Sequence, residues 1–161
     1  MKILNIISKV LKSVVLIIVG AIITTLVIPK VIGYKPYTII SGSMEPNYNV
    51  GCVTYVKPVK FEELEVGDTI TFTTSSLTVT HRIISIDKEK ESVNTKGDAN
   101  ETNDGYISYR NIKGRATKFS IPYLGYAMVW ISTIKGKILL LIIIVGLSIM
   151  SNILGYLGSN K

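Results

Sequence analysis

Cysteine and histidine each occur once in this 161-residue chain, as Cys52 and His81. A lone cysteine excludes an internal disulfide, so the chain must fold without one. One cysteine and one histidine also fall short of a zinc ligand set, and no metal or other cofactor is expected. Charged residues are scarce, at 18 % of the chain, and acids are outnumbered 11 to 18, which leaves a formal net charge of +7. No internal repeat and no low-complexity tract breaks the sequence. A basic balance of this size invites a nucleic-acid reading. Here, however, many of the lysines flank apolar segments, where they can sit among lipid phosphates, and no nucleic-acid partner is expected.

Apolar residues make up 47 % of the chain and are concentrated at its two ends. Ser13 to Pro29 carries no charge and lies between Lys12 and Lys30. As a helix it spans roughly 26 Å, close to the hydrocarbon thickness of a bilayer. A second run carries no charge from Ile138 until Lys161, and Ile138 to Met150 is almost wholly Ile, Leu and Val. Both read as transmembrane helices. Lys2, Lys9 and Lys12 could instead form the basic n-region of a cleaved signal peptide, with Val31 and Gly33 near a cleavage site. The apolar run is long for that role and is followed at once by Lys30 and Lys35, which favours an anchor. The resulting division is an N-terminal anchor over 1–33, a soluble domain over 34–134 and a C-terminal transmembrane helix over 135–161. Lysines before the first span favour a cytoplasmic N-terminus by a slight margin, whereas Lys135 and Lys137 would then lie outside, against the positive-inside rule. The expected location is the cell membrane, multi-pass, with the middle domain on the extracytoplasmic side.

Between the anchors, short β-branched or alternating stretches run over Tyr37–Ile40, Val53–Val56, Thr69–Thr74, Leu77–Ile86 and Ser92–Thr95. Turn signals such as Lys57-Pro58, Val66-Gly67-Asp68 and Asn103-Asp104-Gly105 separate them. Helical periodicity is confined to a short turn around Phe61–Leu64. The pattern predicts a compact, mostly antiparallel β domain. Tyr34, Tyr37, Tyr123, Tyr126 and Trp130 cluster near the anchors, where Tyr and Trp favour the headgroup zone, or they fill the β core instead.

Chemistry in this chain has few possible carriers. His81 lies in Thr78-Val79-Thr80-His81-Arg82-Ile83, where alternation puts Val79, His81 and Ile83 on one face. A lone histidine is often structural. Ser41-Gly42-Ser43 follows a strand-like run, and its glycine permits a tight turn that can expose the next side chain, although such tripeptides are also ordinary turns. A serine there needs a base to take its proton. His81 is the available imidazole, and that group's ordinary pKa near 6.5 suits neutral pH. The segment Lys96-Gly97-Asp98-Ala99-Asn100-Glu101-Thr102-Asn103-Asp104 offers two aspartates to orient such a ring, or a solvated turn. Cys52 lies in an apolar, strand-like run and is a poor alternative nucleophile.

Taken in order, these segments resemble the type I signal peptidases, in the branch shared by archaea, the endoplasmic reticulum and some spore-forming bacteria. Ser41-Gly42-Ser43-Met44-Glu45-Pro46 matches the serine box and Val66-Gly67-Asp68-Thr69-Ile70-Thr71-Phe72 resembles the next strand box. Thr80-His81-Arg82-Ile83 matches the histidine box, and Lys96-Gly97-Asp98-Ala99-Asn100 with Asp104 the aspartate box. Ile112-Lys113-Gly114-Arg115-Ala116 resembles the segment that follows. The likeness covers about Tyr37 to Ala116. It implies a β catalytic domain of signal-peptidase type carrying a Ser–His enzyme, with histidine where commoner bacterial relatives have lysine. By that resemblance Ser43 is the nucleophile and His81 the base. Asp104 is the first choice for the orienting carboxylate, with Asp98 in support, and the two could exchange roles. Ser41 is a candidate oxyanion donor through its hydroxyl, beside the backbone N–H of Ser43. The implied partners are preproteins carrying signal peptides, the lipid bilayer and the protein-export machinery. Substrate would add as an extended strand to the runs leading to Ser43 and to His81. One departure stands out: the family often has an acidic residue after the glycine where this chain has Gly51-Cys52. Two other readings remain open on sequence: a self-cleaving regulatory membrane serine protease, and a non-catalytic, membrane-tethered β module that binds peptides.

Overall fold

The structure is a computed structural model that describes residues 2–75 and 77–159. Two compact units divide it: one takes in the chain ends, up to Ile28 and from Val129, and the other holds Pro29–Met128.

In the first unit, α1 (Lys2–Ile22) continues through one π-helical stretch, Ile23–Val27, into α2 (Ile28–Val31). The helical run therefore starts well before the uncharged core at Ser13. At the other end α3 (Leu124–Ser132) is followed by α4 (Ile134–Ser159). Lys2–Val31 and Ile134–Ser159 are both long and apolar enough to cross a membrane, and both leave most of that apolar surface exposed. Where α1 and α4 meet, small and polar residues make close contacts. Ser8 Oγ donates to Ser151 O at 2.7 Å, and both serines are buried. A Cβ at Gly158 would lie 2.3 Å from Asn5 Oδ1, and one at Gly155 would lie 3.0 Å from Ser8 Oγ. Close approach through small residues and interhelical hydrogen bonds is how helices associate where lipid removes the hydrophobic drive.

The second unit is a seven-stranded antiparallel sheet. Its strands are β1 (Lys35–Thr38), β2 (Val53–Lys57), β3 (Thr69–Thr73), β4 (Thr78–Asp87), β5 (Ser92–Lys96), β6 (Tyr106–Ser108) and β7 (Ile112–Ile121), in spatial order β1-β2-β7-β3-β4-β5-β6. Five strands match the expected runs. The first is displaced toward the N-terminus by two residues, and the expected turn at Phe61 is a 3₁₀ turn over Phe61–Glu63. β6, β7 and the helix α3 have no counterpart in the sequence reading. The main core gathers Phe61, Leu64, Ile70, Phe72, Ile83 and Val93 on one face, with Val79 packed against it. A smaller core of Ile39, Met44, Tyr48 and Cys52 lies under the serine segment. Tyr123, Tyr126 and Trp130 are exposed, so they do not fill the β core.

Candidate active site

The serine segment is shaped by what it buries. After β1 the chain keeps pairing, with Ile39 N–H donating to Cys52 O (2.9 Å) and Gly51 N–H to Ile39 O (2.8 Å). It then tightens into a 3₁₀ turn over Gly42–Met44, which is closed by Glu45 N–H on Gly42 O and Tyr48 N–H on Met44 O. Met44 is wholly buried in the small core. Anchoring that side chain leaves its neighbour Ser43 half-buried, and Ser41 is exposed. The two hydroxyl oxygens are 3.2 Å apart. Cys52 is 2 % exposed in the same core, and burial pushes its thiol pKa up, against thiolate formation. It therefore fills the core, with its thiol shielded from solvent.

The period-2 alternation of β4 carries the other half of the site. His81 and Ile83 point inward and are buried, with His81 opposite the buried Ile70 of β3. The Phe72 ring meets the imidazole edge-on, with centroids 6.3 Å apart. Packing thus limits how the ring can turn, and its two nitrogens face two different partners. Nε2 lies 3.1 Å from Ser43 Oγ and Nδ1 lies 2.6 Å from Asp104 Oδ2. An ionised carboxylate only accepts, so Nδ1 carries the proton toward Asp104. That leaves the Nε2 lone pair to accept from the Ser43 hydroxyl.

The two aspartates have different partners. Asp104 faces His81, and its Oδ2 also accepts from Thr95 Oγ1 at 2.7 Å. Asp98 instead meets Arg82, the residue after His81, through Nε at 2.7 Å and Nη2 at 2.6 Å, and accepts from Asn47 Nδ2 at 2.8 Å. The Arg82 guanidinium holds the Asp98 carboxyl below the usual carboxylate range. Asp98 thereby ties the serine segment, the histidine strand and its own loop together. Directly after it, Ala99 N–H donates to Ser43 O at 2.9 Å. Gly97 fits because a Cβ there would lie 2.6 Å from that same carbonyl. The aspartate loop therefore supports the backbone of Ser43 as well as the ring of His81.

A groove of about 360 Å³ opens beside this cluster. One wall is Thr38–Ser41 and the other Leu77–Thr80, with Ser43, His81 and Asn100 between them. The second wall has free backbone, because β5 pairs with β4 only from Arg82 onward, so Thr78–His81 is bonded to β3 alone among the described strands. Exposed Ile40 and Leu77 flank the opening. A groove with two extended walls, apolar flanks and a polar cluster at its floor suits an extended peptide. No group of three or more His, Cys, Asp or Glu side chains that could hold a metal occurs among the described residues.

Ser41, Ser43, His81 and Asp104 are all brought within one hydrogen-bonded chain, and Asp98 lies one ion pair away. Sequence reasoning did not single out Thr95, Asn47 or Arg82. Arg82 stood in the histidine box and could have been found as the charge partner of a second aspartate. Thr95 was hidden as an ordinary strand residue.

No family model matches the sequence. Among curated proteins, Signal peptidase I W of Bacillus subtilis is 40 % identical over 99 residues, which is 58 % of this chain and 52 % of that protein. The signal peptidase complex catalytic subunit SEC11 of Zygosaccharomyces rouxii is 33 % identical over 129 residues, covering 71 % of this chain and 76 % of that one. The human catalytic subunit SEC11C is 27 % identical over 100 residues, covering 54 % and 52 %. The chain thus spans about half the length of the Bacillus and human proteins and three quarters of the yeast one.

Proposed function

The chain belongs to the type I signal peptidases, in the branch of the SEC11 catalytic subunits, and from that premise we propose that it is a serine endopeptidase that removes N-terminal signal peptides from exported preproteins. The observation that carries this reading is the hydrogen-bonded run Ser43–His81–Asp104 at the floor of an open, peptide-sized groove.

In the proposed reaction the substrate lies extended along Thr78–His81 and the run before Ser41, with its scissile carbonyl at Ser43. Ser43 Oγ attacks the carbonyl carbon as its proton passes to His81 Nε2. Asp104, on Nδ1, holds the ring in the required tautomer and stabilises the imidazolium. The backbone N–H of Ser43 and the hydroxyl of Ser41 stabilise the oxyanion. One such donor is typically worth about 3 kcal/mol in the transition state. The C–N bond then breaks as His81 returns its proton to the leaving amine. Water, deprotonated by His81, attacks the acyl ester and releases Ser43. Asp98 acts here through Arg82 and Asn47, by holding the three segments together.

Two membrane-spanning helices, with the β unit on the extracytoplasmic side, would hold the enzyme where signal peptides emerge. Confinement to a plane raises the encounter rate with membrane-held substrates. The export machinery is then a natural neighbour.

The test is cleavage, by protein purified in detergent, of a fluorescent peptide ending in Ala-Xaa-Ala, beside a Ser43→Ala variant. The parent is expected to cut after the second Ala, and the variant to lose more than about 10³-fold in rate. Equal cleavage by both would sink the proposal. Fragments cut near either helix in the absence of peptide would favour the self-cleaving protease instead.

A further inference from the structure

We infer that Thr95 is a positioning residue of this site, whose hydroxyl fixes the one Asp104 oxygen that faces His81. The inference rests on the Ser–His reading above and names a residue that neither the family motifs nor the comparisons assign.

Thr95 and Asp104 are joined by two hydrogen bonds of opposite direction. Asp104 N–H donates to Thr95 O at 2.8 Å, and Thr95 Oγ1 donates to Asp104 Oδ2 at 2.7 Å. The two residues differ in their surroundings. Thr95 is fully buried, lies in β5 and pairs with the equally buried Ile83 of β4. Asp104 ends an exposed stretch, Glu101–Asp104, of the loop between β5 and β6. The paired bonds return that stretch to the sheet.

The shared oxygen matters most. An aspartate's terminal torsion is soft and roughly two-fold, so a carboxylate held only by a histidine can rock or exchange oxygens. Here Oδ2 accepts from both Thr95 and His81 Nδ1, at 2.7 and 2.6 Å. Two donors at one oxygen use both of its in-plane lone pairs and set the plane of the carboxylate. One of those donors belongs to a rigid, dry strand. The imidazole is thereby referenced to the sheet through Thr95 and Asp104, while Phe72 limits its other movement. Valine has the same shape without the donor. It would leave the packing intact and free the carboxylate to turn toward solvent.

The experiment compares Thr95→Val, Thr95→Ser and Thr95→Ala in the full-length detergent-solubilised protein on the same fluorescent peptide. Thr95→Val is expected to lower kcat about 10- to 100-fold, the effect of one charge-assisted hydrogen bond, with KM within twofold of the parent. Thr95→Ser, which keeps the donor, should restore kcat to within about threefold. In an Asp104→Ala background the same Val substitution should cost nothing further, because the group it positions is gone. If Thr95→Val does not fold, Thr95→Ala carries the same expectation. Parent-like kcat in the Val or Ala variant, or an equal loss in the Asp104→Ala background, overturns the inference. Failure of the underlying reading looks different: Ser43→Ala would then cleave as the parent does.

Discussion

Asp98 and Asp104 lie six residues apart in one loop, yet physical chemistry gives them separate duties. Asp104 accepts from a histidine and a threonine, and Asp98 accepts from an arginine and an asparagine. The loop's composition marked both as candidates. It could not rank them, because the partner of each is chosen by strands far away in sequence. Two predictions follow from the assignment. Asp104→Asn keeps the shape but removes the charge that orders the ring, and kcat should fall by about 10³- to 10⁴-fold with little change in melting temperature. Steady-state kinetics at saturating peptide would show it. Asp98→Asn should act mainly on stability. Its carboxyl titrates lower in the folded chain than in the unfolded one, chiefly because Arg82 hydrogen-bonds the ionised form. The stabilisation is therefore fully present above the ordinary carboxylate pKa, near 4, and is lost as pH falls through the lower folded value. At pH 7 the variant should be less stable than the parent by about 2 kcal/mol, and the gap should close in strong acid. Parallel melting curves from pH 7 to pH 3 check this; a gap constant over that range would reject the ion-pair account.

At the level of elements, strands rich in β-branched residues or alternating in polarity were legible, and the others were not. β3 and β4 alternate Ile, Phe and Val with polar residues, and their runs stood out. β7 is ten residues long and lies between β2 and β3, but its inward positions hold Gly114 and Ala116. Ile112, at the strand's first position, packs against the main core, but one such residue beside a glycine and an alanine makes no periodic signal. Gly114 is needed because a Cβ would lie 2.1 Å from Lys57 O, at a φ of +150°. β6 has only three residues, too few for any pattern. The most useful element for function is the half of β4 that β5 leaves unpaired, Thr78–His81. If substrate pairs with it, backbone N–H groups of the peptide must donate there. Peptides N-methylated at the residues just before the cut should then bind more weakly, with KM raised roughly tenfold for one or two lost hydrogen bonds. A methylated series in which KM stays level at every position would show that strand pairing does not hold the substrate.

For the whole molecule, the proposed function requires the β unit to face the extracytoplasmic side of a membrane. Charge alone decides it poorly: Lys2, Lys9 and Lys12 precede the first apolar core, Lys30 and Lys35 follow it, and Lys135 and Lys137 open α4. The paired helices are better informed about each other than about orientation. Their contacts at Ser8, Ser151, Gly155 and Gly158 make an antiparallel pair, and if both helices cross the membrane, as proposed, the two chain ends lie on the same side of it. The proposed reaction adds the missing direction, because a signal peptide's cleavage site is reached after export. The buried Cys52 makes this testable at once, since the chain's single thiol should be slow to react while the protein is folded. A Glu89→Cys variant adds a thiol on the exposed turn between β4 and β5. In intact cells a membrane-impermeant maleimide should label this variant and leave the parent unlabelled. Labelling that appears only after the cells are broken would put the β unit in the cytoplasm. The Ser–His site would then need substrates other than exported preproteins.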